Sequence, residues 1–180
     1  MTLGGAENEN TLSSGSTIKK FVKWADWKLM KKIMFVCTAN SCRSQMAEGF
    51  ARAFGEGIVE VYSAGLMAAG VHKRAIAVMR EAGIDISRQK SKEIDDKLMK
   101  QMDIVITLCG HAEEYCPWTP PGITRIHWPI KDPVGTIGPE DYIMDEFRRA
   151  RDEVKEKVRD LIKDIADTEH ERSTMPGEKG

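Results

Sequence analysis

Short apolar runs alternate with segments of helical periodicity along the middle of the chain. The runs are bounded by polar residues and are rich in valine and isoleucine, which is typical of strands buried on both faces. They predict strands over residues 33–36, 58–62, 103–108 and 124–128. Because strands that alternate with helices usually pair in parallel, this order predicts a parallel sheet covered by helices.

Four segments between and after these runs place apolar residues three or four positions apart. They predict helices over residues 44–54, 75–82, 91–102 and 144–165. The last helix is the clearest, because its apolar residues share one face and charged residues occupy the other. We therefore expect an α/β fold, with one three-layer α/β/α domain built on a four-stranded parallel sheet.

The two ends of the chain differ in composition from its middle. Residues 1–16 are rich in Gly, Ser, Thr, Asn and Glu, and a segment with so few apolar side chains is typical of a disordered tail. Residues 18–32 predict a basic amphipathic helix that packs on the domain or lies on a membrane surface. A further hypothesis is that translation starts at Met30. We expect an N-terminal extension over residues 1–30, a catalytic domain over 31–166 and a disordered tail over 167–180.

Composition and charge exclude several classes of function. With 180 residues, 41% of them hydrophobic, the chain has enough apolar surface for one core but not for two domains. Its net charge of −1 gives no basic surface for nucleic acid. No apolar run is long enough to cross a membrane or to form a secretory signal, so we expect a cytoplasmic protein. We also expect it to be a monomer. In that compartment the four cysteines point to catalysis or metal binding rather than to structural disulfides.

The most informative motif runs from Cys37 to Ser44, between the first predicted strand and the first predicted helix. Successive backbone N–H groups in such a turn, together with the positive end of the helix, bind a tetrahedral oxyanion. Arg43 adds a planar two-pronged donor, and the same positive field favours the thiolate of Cys37, which is the nucleophilic form. We call this turn the cradle, and its predicted anion-binding residues are Thr38, Ala39, Asn40, Ser41, Cys42 and Arg43.

Three residues of the motif allow alternatives. A cysteine at the end of a buried strand is often only a small core residue, but the complete strand-turn-helix pattern favours catalysis by Cys37. Ser44 would cap the helix, donate its hydroxyl to the thiolate, or do both. Cys42 is expected to be a packing residue rather than a redox partner.

Two further cysteines extend the chemistry. Cys109 follows the third predicted strand, and since the carboxyl ends of parallel strands meet at one edge, we expect it beside Cys37. Cys116 comes seven residues later. In a helix these two would lie about 10 Å apart, whereas a disulfide needs Cα atoms within about 7 Å, so the turns between them must unwind. The sequence predicts a relay in which Cys37 attacks the oxyanion, Cys109 attacks Cys37, and Cys116 attacks Cys109.

These residues allow other interpretations. Cys109 and Cys116 would otherwise be unrelated structural cysteines. A zinc site could be built from Cys37, Cys42, Cys109, His111 and Cys116. Their spacing lacks the paired C-x2-C pattern, so we expect no metal. Asp132 lies in a loop after the fourth predicted strand, where it would protonate a departing oxygen of a phosphate ester or of arsenate, or where Asp-Pro-x-Gly forms only a turn.

Taken together, these residues resemble a known family. The chain resembles the thioredoxin-coupled arsenate reductases, which share the fold of the low-molecular-weight protein tyrosine phosphatases. The resemblance is carried by the Cys-x5-Arg-Ser motif, Asp132-Pro133, the Cys109/Cys116 pair and residues 61–65. The resemblance implies reduction of arsenate to arsenite without a cofactor, thioredoxin as reductant, and phosphate or sulfate as other anions of the cradle. It also implies these roles: Cys37 as nucleophile, Cys109 and Cys116 as redox partners, Arg43 as anion binder and Asp132 as proton donor. The alternative is a tyrosine phosphatase with a Cys37 phosphocysteine intermediate.

Two positions depart from the pattern of these families. Some arsenate reductases bind potassium near the cradle through an asparagine, a glutamate, a serine and an aspartate. Asn40, Glu48 and Ser63 match the first three. An ungapped alignment puts Lys92 at the fourth position, so we expect its ammonium group to replace the ion; an alignment shifted by one residue would put Glu93 there instead. The segment after Asp132 reads Pro-Val-Gly and lacks the tyrosine pair that is typical of the phosphatases, which favours the reductase.

Overall fold

The computed structural model describes residues 30–109 and 119–174. Four strands form one sheet in the order β2-β1-β3-β4, and every neighbouring pair is parallel. The strands are β1 (Lys31–Cys37), β2 (Val59–Gly65), β3 (Ile104–Thr107) and β4 (Thr124–His127). This arrangement confirms the predicted fold class, and each strand begins and ends within a few residues of its predicted bounds.

The helices in the described residues are α1 (Arg43–Phe54), α2 (Lys73–Glu81), α3 (Asp96–Met99) and α4 (Glu140–Thr174). α1 and α2 follow the predicted segments closely. α4 continues to Thr174, so the chain is helical where a disordered tail was expected from residue 167. The predictions for residues 1–29 fall outside the described residues, while Lys31 and Lys32 belong to β1 rather than to an amphipathic helix.

The helix predicted over residues 91–102 is wrong over most of its length, because only α3 is helical there. Backbone groups before α3 bond to the end of β2 instead. The N–H of Gly65 donates to the carbonyl of Lys92, and the N–H of Ile94 donates to the carbonyl of Gly65. Asp95 then caps α3 with its side chain. Tertiary hydrogen bonds therefore override the local helical pattern of this segment.

β1 is apolar at consecutive positions because the sheet is covered on both faces. Alternate side chains of a strand lie on opposite faces of the sheet. Ile33 and Phe35 belong to a large hydrophobic cluster with α1, α2 and α4, whereas Met34 and Val36 belong to a smaller cluster with Met99 of α3. The two clusters are the two hydrophobic layers of the domain.

The order of the strands creates a crevice at the carboxyl edge of the sheet. From β1 the chain goes to β2 on one side, and later it crosses to β3 on the other side of β1. Ligands of open parallel sheets bind at such a switch point, beyond the carboxyl ends of the strands. Since Val36 pairs with Thr107, the segments that follow β1 and β3 emerge side by side at this edge.

None of the helices in residues 30–109 and 119–174 is both long and apolar enough to cross a lipid bilayer. The longest, α4, carries charged residues along its whole length.

Candidate active site

The cradle leads directly from β1 into α1. Cys37 is the last residue of β1 and is buried, and Cys42 immediately precedes Arg43, the first helical residue. The side chain of Cys42, the residue before α1, makes no capping hydrogen bond. The first N–H groups of a helix have no partner within the helix, so an anion is the natural acceptor for them here. The positive end of α1 therefore faces the position predicted for the oxyanion.

Asn40 gives the cradle its shape. Its φ of 43° lies in the left-handed region, which asparagine tolerates better than most residues. Its buried side chain donates to the hydroxyls of Ser44 at 2.8 Å and Ser63 at 2.9 Å, and accepts from the N–H of Lys92 at 2.7 Å. The side chain is committed to bonds within the protein, so any contact of Asn40 with an anion is made by its backbone.

The hydroxyl oxygen of Ser44 lies 2.9 Å from the sulfur of Cys37. Of the two roles predicted for Ser44, helix capping is wrong, because α1 begins one residue earlier, at Arg43, and has no side-chain cap. The contact with the thiol is present. A hydroxyl that donates to sulfur stabilises the thiolate relative to the thiol.

Arg43 connects the cradle to the ends of two strands. Its Nη1 donates to the backbone oxygen of Leu108, just after β3, at 3.0 Å and to that of Ile130, after β4, at 2.8 Å. Its Nη2 pairs with Asp132 at 2.6 Å. The Nε–H group is buried and has no hydrogen-bond partner among the described residues. A buried donor of this kind is unfavourable unless a ligand accepts from it, and side-on binding to an oxyanion supplies that acceptor.

Asp132 lies at the mouth of the site. One of its carboxylate oxygens binds Arg43, and the other accepts from the N–H of Val134 at 3.1 Å. The side chain of Asp132 is 46% exposed, whereas that of Arg43 is 5% exposed. The sequence allowed Asp132 to be either a turn residue or an acid at the site. The two are compatible, because the turn directs the carboxylate of Asp132 to the guanidinium of Arg43.

Cys109 lies beside the cradle, as expected for a residue that follows a neighbouring parallel strand. Its sulfur is 3.3 Å from the hydroxyl oxygen of Thr38, the residue after Cys37. Cys109 is partly exposed, whereas Cys37 is buried. Cys116 and His111 lie outside the described residues. In the described part of the chain, no group of three or more His, Cys, Asp or Glu side chains could hold a metal ion.

Cys42 has the surroundings of a packing residue. It is buried within the larger hydrophobic cluster. Burial, and then the nearby Asp132 and Cys37, raise the pKa of the Cys42 thiol well above its ordinary value, although Arg43 acts in the opposite direction. The thiol therefore stays protonated at neutral pH, and a protonated thiol does not exchange with disulfides.

A segment after β2 supports the cradle, and the sequence did not reveal it. Three of its backbone N–H groups donate to carbonyls of the cradle: Met67 to Thr38, Ala69 to Ala39 and His72 to Ser41. A Cβ atom on Gly65, where this segment begins, would lie 2.6 Å from the backbone nitrogen of Asn40. The glycine three residues after the predicted strand 58–62 was the one available signal of this close approach.

Lys92 lies in a cluster of charges next to Asn40. Its Nζ is 3.5 Å from Oε2 of Glu48, whose side chain is only 4% exposed. The same carboxylate accepts from the hydroxyl of Ser63 and, at 2.8 Å, from Arg52. Two cationic side chains thus compensate the buried charge. Because an ammonium group replaces the fourth, acidic ligand, the residues present do not fit a potassium site.

Comparison with known proteins identifies the family. The model of the low molecular weight phosphotyrosine protein phosphatase family matches residues 32–171. The arsenate reductase of Bacillus licheniformis is 49% identical over 129 residues, which are 72% of this chain and 93% of that protein. A solved structure of an arsenate reductase in the phosphate binding state is 44% identical, with a TM-score of 0.64 over 76% of this chain and 99% of that one. The thioredoxin-dependent arsenate reductase of Corynebacterium glutamicum is 27% identical, with a TM-score of 0.59 over 77% of this chain and 63% of that one.

The family match begins within β1 and ends within α4, so it contains the cradle, Cys109 and Asp132. The similarity to the Bacillus protein covers nearly the whole of that relative. The chain therefore belongs to the low molecular weight phosphotyrosine protein phosphatase family and, within it, to the group formed by the bacterial arsenate reductases.

Proposed function

We propose that the protein reduces arsenate to arsenite by a relay of three cysteines and is regenerated by thioredoxin. The observation that carries this proposal is the 3.3 Å contact between the sulfur of Cys109 and the hydroxyl of Thr38, because Thr38 directly follows Cys37. Hydrolysis of phosphate esters requires no second thiol at the edge of the cradle. The relatives named arsenate reductase support the same activity.

In the first step the thiolate of Cys37 attacks arsenic held in the cradle. A sulfur–arsenic bond forms and an arsenic–oxygen bond breaks, while the departing hydroxyl takes a proton from protonated Asp132 and leaves as water. The Nε–H of Arg43 and the backbone N–H groups of the cradle hold the remaining oxygens.

In the second step the thiolate of Cys109 attacks the sulfur of Cys37. The disulfide between them forms, and the sulfur–arsenic bond breaks with its electron pair left on arsenic. Arsenic is thereby reduced from As(V) to As(III), and arsenite leaves. The hydroxyl of Thr38 contacts the attacking sulfur and directs it toward the neighbouring residue.

In the third step Cys116 attacks Cys109, which frees Cys37 as a thiolate and leaves a disulfide between Cys109 and Cys116. A dithiol protein of the thioredoxin class then reduces this disulfide. Thioredoxin is the preferred reductant because one structural relative is a thioredoxin-dependent arsenate reductase. We place the protein in the cytoplasm, where the reducing conditions keep such cysteines in their thiol form.

A second candidate function is hydrolysis of aryl phosphates through a Cys37 phosphocysteine. The arrangement of Cys37, Arg43 and Asp132 favours it, because that reaction needs a nucleophile, an anion binder and an acid and no further thiol. The segment after Asp132, Pro-Val-Gly, offers no aromatic side chain to stack on a phenyl group. We therefore expect hydrolysis as a slow side activity.

The test supplies arsenate together with thioredoxin, thioredoxin reductase and NADPH, and follows the oxidation of NADPH. Cys109→Ser should abolish this activity and retain slow hydrolysis of p-nitrophenyl phosphate, which serves as its internal control for an intact cradle. After one turnover without reductant, mass mapping should find the disulfide between Cys109 and Cys116. Undiminished NADPH oxidation by Cys109→Ser would contradict the relay.

A further inference from the structure

Gln45 is a buried polar residue in the first turn of α1 that the proposed reaction does not use. Its side chain is fully buried. Its amide nitrogen donates to the backbone oxygen of Asn40 at 3.1 Å, to the side-chain oxygen of Asn40 at 2.9 Å and to the backbone oxygen of Lys90 at 3.1 Å. Because none of these acceptors carries a hydrogen, the orientation of the Gln45 amide is fixed.

Packing alone does not explain a glutamine at this position. The side-chain oxygen of Gln45 is buried and accepts no hydrogen bond from the part of the chain that the structure describes. A buried carbonyl without a donor is unfavourable, and an apolar side chain of the same length, such as methionine, would fill the space without it. The bonds made by the nitrogen of Gln45 therefore account for its presence.

The amide of Gln45, together with the backbone N–H of Lys92, sets the orientation of the Asn40 side chain. The Oδ1 of Asn40 accepts from Gln45 and from the N–H of Lys92. Its Nδ2 consequently faces the hydroxyl oxygens of Ser44 at 2.8 Å and Ser63 at 2.9 Å. If the Asn40 amide were turned over, its N–H groups would meet two other donors, so the observed orientation is the one that satisfies all of these groups.

Asn40 in turn orients the hydroxyl of Ser44. Ser44 accepts from Asn40, so its single hydrogen is left for the sulfur of Cys37, 2.9 Å away. We propose that Gln45 is a positioning residue for the nucleophile: through Asn40 it directs the hydroxyl hydrogen of Ser44 onto Cys37 and so stabilises the thiolate. This inference rests on the proposed function only in taking Cys37 as the nucleophile.

The test measures the reactivity of Cys37 in the full chain. Iodoacetamide alkylates thiolates, and peptide mass spectrometry gives the rate at Cys37 separately from the other thiols. The pH dependence of this rate is compared for the parent, Gln45→Met, Ser44→Ala and the double variant. Gln101→Met makes the same chemical change at an exposed position and is the control, because the amide of Gln101 also donates to a carbonyl, that of Lys97, at 3.1 Å.

We expect Gln45→Met to move the pH–rate profile of Cys37 to higher pH and to lower the rate at neutral pH severalfold, while Gln101→Met leaves the profile unchanged. Since Gln45 acts through Ser44, the double variant should be alkylated no more slowly than Ser44→Ala alone. If Gln45→Met instead loosened the structure generally, the rate in the double variant would fall below that of Ser44→Ala. The other ionisable groups around Cys37 are retained in all variants: Cys42, Arg43, Cys109 and Asp132.

A profile of Gln45→Met that coincides with that of the parent overturns the proposal, and so does an additive effect in the double variant. If Gln45→Met does not melt cooperatively, Gln45→Leu takes its place with the same expectation. If neither folds, Gln45 is a folding residue and the proposal also falls. Alkylation does not depend on arsenate, so a Gln45 effect without reductase activity would reject the proposed function alone.

Discussion

The Nη2 atom of Arg43 lies 2.6 Å from Oδ2 of Asp132, although the two residues are 89 positions apart in the chain. The ion pair requires an ionised Asp132, whereas proton donation requires the protonated form. An anion that binds the guanidinium competes with the carboxylate for the same positive charge, so anion binding weakens the ion pair. The contact therefore links anion binding to the position of the Asp132 carboxylate.

Asp132→Asn should separate these two roles. The amide does not protonate the departing hydroxyl, so kcat for arsenate reduction should fall by about 10²–10⁴-fold. Phosphate binding, measured by calorimetry, should be unchanged or tighter, because the competing charge is gone. Asp145→Asn is the control, since exposed Asp145 forms an ion pair of 2.9 Å with Arg148 away from the site. Loss of phosphate binding in Asp132→Asn would show that the residue mainly holds the cradle together.

Thr38→Val should slow the second step of the reaction. It removes the hydroxyl that contacts Cys109, and a lost hydrogen bond of about 1 kcal/mol predicts a rate lower by several-fold to about tenfold. The measurement is formation of the disulfide between Cys37 and Cys109 in a single turnover, followed by rapid quenching and mass mapping. Thr38→Ser keeps the hydroxyl and should restore the rate. Equal rates in all three proteins would remove Thr38 from the mechanism.

Potassium should not stimulate the enzyme relative to sodium at equal ionic strength, because the ammonium group of Lys92 already compensates Glu48. Lys92→Gln removes that charge. We expect it to lower the free energy of unfolding by at most about 1 kcal/mol, since Lys92 is partly exposed and Arg52 still pairs with Glu48. Thermal melts in potassium chloride and in sodium chloride measure the change in stability, and the rate of arsenate reduction in the same two salts measures any stimulation. Lys131→Gln, which breaks an exposed pair with Glu146, is the control.

A clear activation of the parent by potassium would overturn this prediction. A response that appears only in Lys92→Gln would support it, because the cation would then fill the position that the lysine leaves.

His72 should make stability depend on pH. Its ring accepts from the N–H of Arg74 at 3.2 Å at the start of α2 and stacks on Phe147. Burial, and then Arg74, lower the pKa of His72 below its ordinary value of 6.5, although Asp132 acts in the opposite direction. The neutral ring is favoured in the folded state, so its stabilising contribution is complete above that ordinary value and is lost as pH falls through the lowered pKa.

His72→Asn keeps an acceptor for the start of α2 without titrating. Thermal melts between about pH 7.5 and about pH 5 should therefore show a smaller fall in Tm for His72→Asn than for the parent. Parallel curves for the two proteins would assign the acid sensitivity to other groups.

Local patterns were sufficient to predict the sheet and the position of the cradle. β1 is recognisable because it is buried on both faces and reads as an unbroken apolar run, and the motif from Cys37 to Ser44 is contiguous in sequence. The closeness of Cys109 to the cradle also follows from the parallel sheet, because Cys109 comes after β3 and the cradle comes after the adjacent strand β1.

Contacts between distant backbone segments were not predictable in the same way. The helix expected from residue 91 fails because the carbonyl of Lys92 bonds to Gly65, and no side-chain pattern announces such a bond. Gln45 lies within the predicted helix 44–54, and its contact with Asn40 could not be predicted because Asn40 adopts a left-handed conformation. These features depend on dihedral angles and carbonyl directions, which the identity of a residue restricts only weakly.

The carbonyl groups that hold the Arg43 guanidinium come from Leu108 and Ile130, 65 and 87 positions further along the chain. A ribosome-bound or partly unfolded chain has the thiol of Cys37 but lacks these two acceptors, since the third and fourth strands must first join the sheet. The geometry around the Arg43 guanidinium is therefore a property of the completed sheet, and the contiguous motif from Cys37 to Ser44 does not supply it alone.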